Sequence, residues 1–125
     1  MEEKQLIYEV IARTEPEETA YENLSYEDVL SVMIDNLLLE TQVPLTIRRR
    51  CCSSVKEHTM SVETCHRIRE LAGAAVPQKD GADLRPIRVK LDIAINNWYI
   101  KGEISLSEER IIKPSEYCYA NRQSA

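Results

Sequence analysis

The chain has 125 residues, 43% of them apolar and 30% charged, with no phenylalanine and a net charge of −5. That length suits one domain with its own core, and the balance excludes a disordered chain. No run approaches the roughly 18 apolar residues of a membrane span, and Met1-Glu2-Glu3-Lys4 lacks the basic start and apolar stretch of a secretory leader. A cytoplasmic protein with reduced thiols is therefore expected.

The charge is unevenly placed. Residues 1–42 hold eleven acids against two bases, and the remainder holds ten acids against fourteen bases. Segregation of this kind marks either a partner-binding or nucleic-acid-facing half, or opposite faces that attract within the fold or between subunits.

In chain order, Leu6, Ile7, Val10 and Ile11 recur at helical spacing and predict a first helix over about residues 3–13. The acidic stretch Glu15–Asn23 reads as loop. Ser25 and Asp28 form a capping-box pattern for a second helix, whose Val29, Leu30, Val32, Met33, Ile34, Leu37, Leu38 and Leu39 cover most of its circumference. A helix apolar nearly all round is either central or shared with a second subunit.

Pro44 suits the start of a third helix, with Ile47, Cys51, Val55 and His58 as its stripe. Ser61 caps a fourth helix carrying Val62, Cys65, Ile68, Ala72 and Ala75, closed by Pro77. Residues 78–83 have turn chemistry. A fifth helix runs from Pro86 to Lys101-Gly102 on a stripe of Ile87, Leu91, Ala94, Ile95 and Trp98. Ser105 and Glu108 suggest a short last helix before Pro114. The fold expected is all-α, an irregular bundle of five or six helices in a single domain over residues 1–114. A mobile C-terminal tail over residues 115–125 is expected to follow.

Chemistry is sparsely signalled. Cys51, Cys52, His58, Cys65, His66 and Cys118 could supply metal ligands, but adjacent residues on a helix diverge by about 100° and do not share one ion readily. No metal or cofactor is expected. No phosphate loop, nucleophile elbow or dinucleotide motif is present, so the chain reads as non-enzymatic with no catalytic residue.

A basic segment holds Arg48, Arg49, Arg50, Lys56, Arg67 and Arg69 against Glu57 and Glu63. These six bases are the candidate nucleic-acid contacts. Within it, Thr59-Met60-Ser61-Val62-Glu63-Thr64-Cys65-His66-Arg67-Ile68-Arg69-Glu70-Leu71 resembles the turn and recognition helix of helix-turn-helix proteins. Thr59 stands where that turn often has glycine, and His58 where an apolar residue usually packs. Val43-Pro44-Leu45-Thr46-Ile47-Arg48-Arg49 resembles the V-P-x-x-I-R-R signature of a small archaeal all-helical family without an assigned function; the resemblance implies paired helices and no activity.

Val29, Met33, Leu37, Trp98 and Tyr99 are the candidate interface residues. The leading expectation is a helical protein-interaction or regulatory module, either a homo-oligomer or bound to another protein, away from membranes. The alternative is a nucleic-acid-binding regulator with a helix-turn-helix-like segment around residues 47–71.

Overall fold

The computed structural model describes residues 6–13, 18–39, 43–51, 54–76 and 79–108. Strands β1 (Leu6–Arg13), β2 (Glu18–Leu24), β3 (Leu45–Cys51) and β4 (Ser54–Met60) pair antiparallel in the order β2-β1-β3-β4. Three α-helices accompany them: α1 (Tyr26–Leu38), α2 (Val62–Ala72) and α3 (Arg85–Asn96). The last continues into a π-helical turn over Asn97–Lys101.

The fold is thus mixed α/β, which corrects the all-α bundle of five or six helices. The expected first helix is β1, and the expected acidic loop overlaps β2 from Glu18 to Asn23. The expected third helix is the β3–β4 hairpin. Residues 104–108 are not helical, and the rest of the expected last helix, with the tail, lies outside the described residues.

The misreading has a physical cause. Residues four apart share a face in a helix, but they also share a face in a strand, whose period is two. Ile47 and Cys51 therefore satisfy both periods. β1 is harder still, because Val10 and Ile11 are both buried although they point to opposite faces. The hairpin pairs from Leu45–Met60 to Cys51–Ser54, with only Cys52 and Ser53 between. Neither is the Asn or Gly that usually announces a two-residue turn.

The same hairpin occupies the segments that carry both resemblances. Val43–Arg49 leads into a strand, where the all-helical family pattern implied a helix. Thr59 and Met60 end β4, so a strand rather than a helix leads directly into α2.

Three local, chemical helix signals, at Ser25, Ser61 and Gly102, do match the structure. Ser25 Oγ accepts from the Asp28 backbone N–H at 3.1 Å, and Asp28 Oδ2 accepts from the Ser25 N–H at 3.3 Å, a reciprocal capping box. Ser61 Oγ accepts from the Thr64 N–H at 3.2 Å to start α2. Gly102 ends the π turn with a left-handed backbone, φ 70°. β2 carries a bulge where Tyr8 faces Leu24 but Val10 faces Tyr21, with Asn23 left-handed at φ 55°.

The core lies between one sheet face and the helices. It joins Tyr8, Val10 and Ala12 of β1 and Leu45 and Ile47 of β3 to Val29, Met33 and Leu37 of α1. Cys65 and Ile68 of α2 and Leu91 and Ile95 of α3 complete it. Helix α1 touches β1, β2, α2 and α3, so its apolar circumference is covered largely by its own chain. Among the described residues no helix is long and apolar enough to cross a membrane.

Candidate functional site

The sheet has a second face, and the core takes none of its residues. Strand alternation and cross-strand register lay this face out in rows. Ile7, Arg50 and Val55 form one row; Glu9, Arg48 and Glu57 the next; Ile11, Thr46 and Thr59 the third. In the third row Ile11 and Thr46 are only 2% exposed. The accessible end is therefore the first two rows, where Ile7 and Val55 are exposed apolar side chains.

The charges here satisfy one another. Arg48 Nη1 lies 3.3 Å from Glu9 Oε2 and its Nε 3.0 Å from Glu57 Oε1. Arg50 Nε lies 3.0 Å from Glu9 Oε1. Two arginines and two glutamates leave the face neutral. Glu9, the neighbour on β1, does most of that pairing.

Because β3 is a strand, Arg49 points the other way, towards the helices, beside Tyr8 of β1 and opposite Lys56 of β4. Arg67 and Arg69 belong to a separate element, α2; Arg67 is exposed, whereas Arg69 is only 9% exposed. The structure thus divides the six candidate nucleic-acid contacts among two sheet faces and a helix.

The candidate interface residues are also redistributed. Val29, Met33 and Leu37 are buried in the chain's own core, and Trp98 nearly so. Tyr99 is half-buried within an aromatic cluster. Its ring centroid lies 6.0 Å from Tyr26 and 5.7 Å from His58, and His58 meets Trp98 edge-on at 5.0 Å. Tyr26 donates its hydroxyl to Asn96 Oδ1 at 2.6 Å. The π turn, a rare device often found near functional positions, brings Trp98 and Tyr99 to this place.

No family model, curated protein or solved structure matches this chain. The site must therefore be judged on its own chemistry.

That chemistry offers no converging metal ligands: among the described residues no three of His, Cys, Asp and Glu gather to hold an ion. Nor is the buried Cys65 a reactive nucleophile. Burial pushes the Cys65 thiol up to about 11, with nearby Arg69 pulling weakly the other way, so at neutral pH it is a small apolar side chain. Burial likewise raises the Tyr26 and Tyr99 hydroxyls, Arg49 opposing the shift at Tyr99.

These shifts fix the sign of an alkaline response. All three groups bind their proton more tightly when folded, so stability is fully present below their unfolded values and is lost as pH rises towards the folded ones. For Cys65 that window runs from 9.0 to about 11. The urea midpoint is expected to fall across it, and Cys65→Ala to make the fall shallower. A midpoint that stayed flat or rose would show that these groups are not buried as described.

Proposed function

We propose that the chain is a non-enzymatic interaction or regulatory module that associates with a second copy of itself through the second face of its sheet. The observation that carries this reading is the mutual neutralisation of Arg48 and Arg50 by Glu9 and Glu57, beside the exposed Ile7 and Val55. On a chain of net charge −5, two copies repel over most approaches. A neutral patch with exposed apolar side chains in it is where they can meet without that cost, and a two-fold axis lets one surface complement itself.

The same neutrality argues against a polyanion as partner, since cations already paired with carboxylates are poor competitors for phosphate. A cytoplasmic setting belongs to this reading and suits Cys65, a buried thiol outside any disulfide.

Light scattering tests it. The expected mass is a dimer or larger in the micromolar range, falling to a monomer in Ile7→Glu/Val55→Glu. A wild-type protein that remains monomeric as concentration rises would overturn the proposal. So would a dimer that the double substitution leaves intact.

A further inference from the structure

Arg49 and Lys56 are directly opposed across the β3–β4 pair, on the face that turns towards the helices. Opposed side chains of an antiparallel pair have Cβ atoms roughly 4.5–5.5 Å apart, and like charges there repel. The other two arginines of the strand each have a carboxylate, as described above. Arg49 and Lys56 have none: among the described residues neither makes an ion pair or a side-chain hydrogen bond.

The surroundings supply more donors and flat rings. His58 lies two residues from Lys56 on the same face of β4, exposed, with its ring against Trp98 and Tyr99. Arg49 is close enough to Tyr99 to act on its hydroxyl. The corner therefore gathers a guanidinium, an ammonium, an imidazole and a half-buried phenol, and neither cation has an ion-pair partner among the described residues. A guanidinium offers a planar fork to an oxyanion and an ammonium offers a mobile point charge, a combination suited to phosphate. Aromatic side chains beside it give a flat heterocycle a surface to rest on.

We propose that the Arg49–Lys56 corner binds a nucleotide, its phosphate between the two cations and its base against His58 and Tyr99. The site is independent of the neutral sheet face, because Arg49 and Lys56 lie on the opposite side of the hairpin from Arg48 and Arg50. Bound phosphate would relieve the repulsion that the unliganded hairpin carries.

Trp98 is the chain's single tryptophan and touches His58, so its emission reports on the corner directly. Titration of the full chain with AMP at low salt is expected to change that emission saturably. Adenosine, which lacks the phosphate, should bind at least tenfold more weakly, as should AMP to Arg49→Gln. Lys56→Glu is the sharper variant: it should abolish AMP binding while raising the melting temperature, because the new carboxylate would pair with Arg49. A substitution that merely damaged the fold would lower both. No saturable response to AMP, equal affinity for inorganic phosphate and AMP, or unchanged AMP affinity in Lys56→Glu would each overturn the nucleotide assignment.

Discussion

Ile47→Ala is expected to cost about 2–5 kcal/mol of folding stability, and Val55→Ala less than about 0.5 kcal/mol. Ile47 sits in central strand β3, 1% exposed, between Val10 of β1 and His58 of β4. Removing three of its carbons forfeits their burial and leaves a cavity that a sheet flanked by packed helices closes only in part. Val55 lies on the second face of edge strand β4 and is 53% exposed, so it has little packing to lose. In a helix running through this segment the two residues would share one buried stripe, and their alanine variants would suffer alike. Urea denaturation of both, at protein concentrations low enough to keep the chain monomeric, separates a strand from a helix.

Asn97→Ala carries the second large effect, expected at about 2–4 kcal/mol. The Asn97 amide is fully buried, and its Nδ2 donates to Ser105 O at 2.9 Å, Ser107 O at 2.9 Å and Ser105 Oγ at 3.3 Å. This one side chain pins residues 105–107 back onto the π turn. Without it, two main-chain acceptors lose their donor in a partly buried place. Asn97→Asp should be at least as damaging, since it sets a carboxylate oxygen against two carbonyl oxygens. Hydrogen exchange provides the local check: amides of residues 103–108 should lose protection in Asn97→Ala well before those of β1 and β3. Equal loss everywhere would mean that Asn97 supports the whole fold rather than this strap.

The contrast between what could and could not be read from the sequence follows from the range of each interaction. Ser25 with Asp28, Ser61 with Thr64, and Gly102 after Lys101 act within a few residues, so α1, α2 and the end of the π turn after α3 were legible. Strand pairing is non-local. Tyr8 meets Arg49 and Glu9 meets Arg48 across some forty residues, and nothing in either segment announces the other. A strand buried on one face with apolar residues also on the second loses the alternation that would identify it. The hairpin turn, lacking Asn and Gly, withheld the remaining signal.

The candidate site was illegible for the same reason. Three consecutive arginines read as a basic cluster only if they lie on one surface. In a strand they alternate, sending Arg48 and Arg50 to Glu9 and Glu57, and Arg49 to Lys56 and Tyr99. The one usable hint was the β-branched Thr46, Ile47, Val55 and Thr59 around the run, a composition that favours a pleated surface over a helix.

Both the neutral face and the cationic corner depend on residues 45–60 forming an antiparallel hairpin docked on β1. Nuclear Overhauser contacts between backbone protons of the isotope-labelled chain test this most directly. Cross-strand contacts joining Tyr8 with Arg49, Val10 with Ile47, and Arg49 with Lys56 are expected. A ladder of contacts between residues three apart, running unbroken from Pro44 to His58, would instead show a helix and contradict both sites.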